Sequence, residues 1–423
     1  VAQNLWVISS LAIAAYLLIQ SICIFSTPNG LARMQGQPLG GLEYWDTANY
    51  VALAQQPRVS AFYPLWPWVI SSISKLTGIA LLPTAIVTSE LIFLASFPLC
   101  LWVFLKLINN KTIAVSCFFL YVLGPNALFS AIGYTEAIFS FFSLLFLFCL
   151  FQYVRSWNLS YLALMLPLTV LMNLSRPVLI QTVFSVAACW GVTFGLSKLG
   201  LRKVSRVDLK RLGVLAVLIA LAAIAGYSIY GGYCVSLGDG FFAPFRAQET
   251  WGRKLQLRPL LLLLPRALLI DLYGLYLPAA LCAVYVVLGV RRARQRDASF
   301  PIPQGWGMLG LLHPALSVFL HKRFHRAELQ GSVADSPAFS FVALYCLFFS
   351  GVHSLINFLA NSGYLYSTAR HYFGSPYAFL SIAYVSLWFE RHKLSRLFGV
   401  VLVASVYLLG QLWISHTQGL WIG

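Results

Sequence analysis

Apolar runs of membrane-spanning length recur along the whole chain, and nothing else constrains its fold as tightly. About twenty consecutive apolar residues cross a hydrocarbon core of about 30 Å as a helix. Candidate crossings fall at about 5–26, 79–107, 113–131, 136–154, 158–174, 178–196, 213–235, 262–290, 338–358, 376–390 and 397–415. The runs far exceed the roughly ten alternating residues of a barrel strand, so they read as helices. Only 10% of residues are charged, against about 25% in soluble domains, and mean hydropathy is +0.78. The expectation is an all-α polytopic membrane protein with about 11 transmembrane helices, a single integral-membrane domain over 1–423. The opening run, without a basic stretch before it or a clear cleavage site, reads as the first transmembrane helix rather than a signal peptide.

Segment 62–77 is short and aromatic and carries two prolines near its start. It reads as a juxtamembrane helix, and were it a crossing everything after it would change sides. Charge decides. If 62–77 does not cross, one side receives 19 of the 29 Lys and Arg, chiefly in loops at about 197–212 and 291–337. That is the bias expected of cytoplasmic loops. The stretch 297–337, apolar but broken by Pro and Gly, reads as a re-entrant or interfacial segment in the second of these. The net charge of +17 thus reads as loops held against an anionic leaflet, with no aromatic-interleaved surface for nucleic acid.

The opposite side then holds loops 27–61, 132–136, 175–177, 236–261 and 359–375. These contain nearly all the unusual polar residues, so a topology chosen on charge alone collects the chemistry on one face. The eight cysteines lie in or beside apolar runs, form no CxxC pair, and read as small core residues. The sequons at Asn110, Asn158 and Asn173 fall on the inner side or inside a crossing and are expected to carry no glycan.

Among 12 acidic residues, Glu90 and Asp271 fall inside crossings, where a carboxylate is costly unless paired. Asp46 is the sharpest of those on the polar face. In a helix, Asp46, Asn49, Tyr50 and Leu53 share one side, and Trp45 and Trp66 can anchor the segment at headgroup level. A carboxylate beside an apolar boundary suits a general base; an N-terminal charge on an interfacial helix explains the same residue. Glu136 opens a crossing in "SAIGYTEAIFS", with Thr135 as a cap, and reads either as a dipole-favoured helix start or as a second site carboxylate. Arg176, Arg253 and Arg370, with His371 beside the last, put positive charge where the usual bias disfavours it. An anionic headgroup or a phosphate leaving group would account for that, as would snorkelling to lipid. No Walker A, HExxH, GxSxG or CxxC occurs, and the lone GxGxxG, "GWGMLG" at 305–310, lies in a Pro-broken apolar stretch rather than between a strand and a helix, so nucleotide cofactors, zinc and a serine triad are not indicated.

Four segments resemble the PIG-V-like mannosyltransferases. They are "WDTANYVALAQQ…AFYPLWP", "GPNALFSAIGYTEAIFSFFSLLFLF", "GDGFFAPFRAQETWGRKLQLRP" and "ARHYFGSPYAF", in family order across roughly residues 40 to 380. His371 departs from the pattern by separating Arg370 from Tyr372. The chain is more similar to bacterial than to eukaryotic members, which places it in a bacterial plasma membrane rather than the endoplasmic reticulum.

The resemblance implies a C-type glycosyltransferase fold with its catalytic Asp in the first extracytoplasmic loop. It implies a polyprenyl- or dolichyl-phosphate sugar donor, a lipid or glycan acceptor, and no cofactor. Asp46 would be the general base of an inverting transfer and Glu136 would orient the acceptor. Trp45, Asn49, Tyr50, Tyr134, Gln248, Trp251 and His371 join them as substrate-binding candidates. Arg176, Arg253 and Arg370 are assigned from charge to the lipid-phosphate leaving group. A monophosphate donor makes a metal less necessary. The alternatives are transfer of another sugar to lipid A or a cell-wall glycan, or a lipid or glycan transporter; a partner subunit stays open.

Overall fold

The computed structural model describes residues 2–27, 45–198, 204–249, 269–296, 337–360, 367–387, 389 and 391–418. Among them the chain forms fifteen α-helices and one 3-10 turn. They are α1 (Ala2–Phe25), α2 (Asp46–Gln55), α3 (Leu65–Thr77), α4 (Leu81–Leu107), α5 (Lys111–Val122), the 3-10 turn Pro125–Ser130, α6 (Glu136–Ser156), α7 (Leu159–Ser175) and α8 (Leu179–Lys198). Then come α9 (Arg206–Ser236), α10 (Ala243–Glu249), α11 (Leu269–Arg296), α12 (Pro337–Ala360), α13 (Thr368–Phe373), α14 (Pro376–Ser386) and α15 (Arg391–Thr417).

Each of the eleven apolar segments contains a helix, but they are not eleven equal spans. Six described helices are long and apolar enough to cross a membrane: α1, α4, α6, α8, α9 and α15. The helices of 113–131 and 158–174 are shorter, at 12 and 17 residues. The expected 113–131 run stops at Val122 because Gly124–Pro125 follows: Pro cannot continue the ladder, and it opens the 3-10 turn instead. Helix α3 has 13 residues, about 20 Å at about 1.5 Å per residue, too short to span. The re-entrant segment expected at 297–337 lies, apart from Pro337, outside the described residues.

Helix α6 is the hub. Its 21 residues match the core thickness, and 72% of its apolar window is buried, against 11% for α15. It packs against α4, α7 and α12, while α9 packs on α7 and α8, α1 lies against α4, and α15 lies against the 3-10 turn. Ring contacts interlock these helices, as where Phe349 and Tyr377 sit 4.2 Å apart. All eight cysteines are free, and seven are buried. Glu90 on α4 is paired with Gln20 on α1.

Two sequons turn out to be helix caps. Asn110 accepts from the Thr112 and Ile113 amides at the start of α5, and Asn158 from Ser160 at the start of α7. A side-chain oxygen followed two residues later by a small polar residue suits an N-cap, so the pattern there is local structure. Asn173 is buried.

Candidate active site

Helix starts and ends place the charged residues. Asp46 is the first residue of α2 and Glu136 the first of α6. The partial positive charge of a helix N-terminus favours a carboxylate at both positions. Arg176 caps the C-terminus of α7, and Arg370 lies in the last turn of α13, where a cation is favoured by the same dipole.

These four side chains meet. Arg370 donates from Nε to Glu136 Oε1 and from Nη1 to Asp46 Oδ2, each at 2.7 Å. Arg176 Nη1 lies 3.4 Å from the same Glu136 oxygen, and its Nη2 donates to His371 Nδ1 at 2.7 Å. The order is therefore Asp46–Arg370–Glu136–Arg176–His371. Glu136 is fully buried, and the Asp46 side chain is one-fifth exposed (20%). The two carboxylates thus differ: one is locked inside, and the other stands at the edge of the cluster with Oδ2 engaged.

Tyr134 and Phe129 cover the Arg370 guanidinium, with ring centroids 4.4 and 5.0 Å from Cζ. Burial would favour a neutral guanidinium, but the Glu136 and Asp46 charges outweigh it and push the Arg370 pKa up. Burial first, and then the Asp46 charge, raises the Tyr134 phenol well above its ordinary value. Its hydroxyl is hydrogen-bonded to the Asp46 backbone, at the helix start where Trp45 supplies no side-chain cap.

A second set of buried bonds fixes the turn before α6. Thr47 donates to the Ile132 carbonyl at 2.6 Å, Trp66 Nε1 to the Gly133 carbonyl at 2.7 Å, and the Gly133 amide to Ser89 Oγ at 2.8 Å. Gly133 has φ +85°, and a Cβ there would stand 2.9 Å from the Thr47 methyl, so a side chain is disfavoured twice over. Ser140 donates to the Gly374 carbonyl and ties α13 to α6.

Several expected placements change. Trp66 is not an interfacial anchor: it is fully buried, because its N–H is needed on the Gly133 carbonyl. Trp45 is half exposed. Thr135 makes no cap bond, and its hydroxyl faces that of Tyr50 at 3.4 Å. The buried side of α2 is Thr47, Tyr50 and Leu53, while Asn49 turns back to the Trp45 carbonyl. Gln248 is placed on the first loop's backbone, donating to the Ala61 carbonyl at 3.0 Å. Trp251 and Arg253 lie outside the described residues.

Sequence reasoning missed Thr47, Ser89, Phe129, Ser140 and Gly374, and misplaced Trp66, all of which position the cluster. The glycine of "GYTE" and the aromatic-Pro run were the visible signals; Ser89 and Ser140 sit in apolar helices and gave none. No three His, Cys, Asp or Glu side chains among the described residues are grouped to hold a metal ion.

Fold and site together define a polytopic helical membrane protein with a buried, charge-paired cluster at one end of its central helix. No protein-family model matches the chain, and no curated protein does. Among solved structures it is similar to two crystal structures of the Archaeoglobus fulgidus oligosaccharyltransferase. With the complex with Zn and sulfate the TM-score is 0.45 at 13% identity, covering 87% of this chain and 48% of that one. With the apo form it is 0.47 at 13% identity, covering 95% and 56%. The chain spans about half the length of those proteins. What the site can do is set by the chain's own residues.

Proposed function

We propose that the protein is a membrane glycosyltransferase that moves a mannose from a polyprenyl- or dolichyl-phosphate donor to a hydroxyl of a lipid or glycan acceptor. The reaction takes place at the extracytoplasmic face, without a cofactor, and the bacterial plasma membrane is the proposed location. The observation that carries the reading is the shared guanidinium. Asp46 and Glu136, from separate helices, are both held by Arg370 at 2.7 Å, with Asp46 alone at the exposed edge.

That arrangement suits an inverting displacement. Asp46 takes the proton of the acceptor hydroxyl as its oxygen attacks the anomeric carbon. The bond from that carbon to the phosphate oxygen breaks, and the lipid phosphate leaves with the electron pair. Arg370 fixes the Asp46 carboxylate against Glu136, which lowers the reorganisation the step requires. Its committed donors make Arg370 a positioning residue here, rather than the leaving-group ligand that its charge alone suggested. Glu136 Oε2, buried and without a partner among the described residues, is the oxygen suited to receive a second hydroxyl of the acceptor, beside the one that Asp46 deprotonates. The sugar and its lipid carrier come from the motif resemblance alone.

The deciding experiment follows label from radiolabelled polyprenyl-phosphate mannose into membrane lipids and glycans, with wild type and Asp46→Asn. Transfer that disappears in the variant supports donor, reaction and base together. Near-normal transfer by Asp46→Asn removes Asp46 as the base, and no transfer by either protein removes the mannose donor.

A further inference from the structure

We propose that neutral His371 holds Arg176 away from the second oxygen of Glu136, keeping that oxygen open for a second hydroxyl of the acceptor. The inference rests on the transfer reaction proposed for this site.

Glu136 poses the problem. Its Oε1 takes Arg370 at 2.7 Å and faces Arg176 at 3.4 Å. Its Oε2, in a side chain with no exposure, has no partner among the described residues. A buried carboxylate oxygen left unmet is costly, and a guanidinium is already beside it. Electrostatics alone would close Arg176 onto both oxygens as a bidentate pair.

Arg176 is held elsewhere. Its Nη2 donates to His371 Nδ1 at 2.7 Å, and its plane lies over the Phe139 ring at 5.6 Å. A guanidinium has donors only, so His371 Nδ1 presents a lone pair. The histidine is therefore neutral, with its proton on Nε2. Protonating it would turn Nδ1 into a donor facing a donor and place two cations together. Arg176 would then lose its acceptor and turn to Glu136 Oε2, the oxygen on which the acceptor must bind.

Among the described side chains, the ionisable groups around His371 come from four helices, and Asp271 on α11, which packs on α13, lies outside the described side chains. Arg370 neighbours it on α13, and Arg176 reaches it from the end of α7. His353 on α12 stacks edge-on at 5.8 Å, and its Nδ1 lies 3.2 Å from Gln181 Nε2 on α8. Glu136 on α6 acts on it through Arg176. His371 is also the residue that separates Arg370 from Tyr372 in the sequence, and this geometry gives that insertion a task.

The test compares wild type, His371→Gln and His371→Leu as full chains in membranes, with radiolabelled polyprenyl-phosphate mannose as the probe. Gln offers an acceptor oxygen that cannot be protonated near neutrality, and Leu offers none. At pH 7.5 the Leu variant should transfer label roughly tenfold more slowly, the factor of one lost hydrogen bond, and Gln should restore most of that loss. As pH falls from 7.5 through the histidine range, wild-type transfer should fall relative to the Gln variant, whose acceptor oxygen does not titrate there.

The purified proteins are also melted across the same pH range. The wild-type midpoint should drop relative to Gln as pH falls, because the folded state disfavours the charged histidine. Parallel pH profiles of wild type and Gln in both measurements overturn the proposal. A difference in melting without one in transfer leaves a merely structural bond and overturns the positioning role. No transfer by wild type at any pH overturns the proposed function instead, and the melts still decide the His371–Arg176 link.

Discussion

Arg370→Met is the most informative single change, because one side chain there neutralises two carboxylates. Met keeps most of the stem's volume and removes the charge. Two charge-assisted bonds of 2.7 Å are lost, together with the stacking on Tyr134 and Phe129. The Asp46 half of the loss is softened by water, since that side chain is one-fifth exposed (20%). The Glu136 half is not, since that side chain has no exposure. Stranding one member of a buried pair costs about 3–5 kcal/mol, and the remaining Arg176 contact at 3.4 Å recovers little of it. The cost should therefore sit mainly on Glu136, and removing that charge as well should restore about 1–3 kcal/mol. The assay is thermal unfolding of purified protein in nanodiscs at one scan rate, for Arg370→Met, Glu136→Gln and the double variant. The double variant should melt above Arg370→Met. A double variant that melts at or below the single one would show that the two residues do not share a buried ion pair, and the site as described would be wrong.

Other perturbations probe the support of the site and its orientation. Trp66→Phe strands the Gly133 carbonyl and should cost about 1–3 kcal/mol; a melt equal to wild type would refute the role of that indole N–H. Gly274→Ala should impair label transfer more than it lowers the melt. An added Cβ would lie 2.7 Å from the backbone nitrogen of Ala369, which forces α13 and its arginine to move, whereas Gly191→Ala meets nothing within 4 Å and should be silent. An impermeant maleimide should label Ser236→Cys on intact cells and Ser205→Cys only after permeabilisation, against a low background from mostly buried native cysteines. The reverse pattern would put α3 across the membrane.

What was legible in the sequence was what hydropathy and charge encode. Each apolar run contains a helix, and the loops that charge placed on one side include every member of the paired cluster. What was not legible was pairing. Arg370 stands 324 residues from Asp46 and 234 from Glu136, and no local pattern says that a guanidinium so remote will fill the space between two helix starts. The same blindness misplaced Trp66. Tryptophan near a membrane boundary ordinarily reads as an anchor, and only the Gly133 carbonyl, 67 residues away, explains why this one is buried. Span length failed for a local reason: at Gly124–Pro125 the run stays apolar, and the backbone still cannot continue as a helix.

Charge balance in the cluster leads to one more prediction. Asp46, Glu136, Arg176 and Arg370 cancel, and both arginines are committed to partners inside the cluster. A lipid-phosphate donor brings at least one further negative charge, which these four residues do not balance. Other cations must meet it. The sequence supplies Arg253, Lys254, Arg258 and Arg266 soon after Gln248, and Gln248 is itself bonded to the first loop at Ala61. Arg253→Ala should therefore raise the KM for polyprenyl-phosphate mannose by roughly tenfold or more, the cost of one charge-assisted bond, with no change in melting. Arg176→Lys, by contrast, should lower the melt, since a lysine cannot serve Glu136 and His371 with the same fork. Should Arg253→Ala leave the donor KM untouched while Arg176→Lys raises it without loss of stability, the phosphate would be bound by the cluster itself. The paired arrangement would then have to open during the reaction.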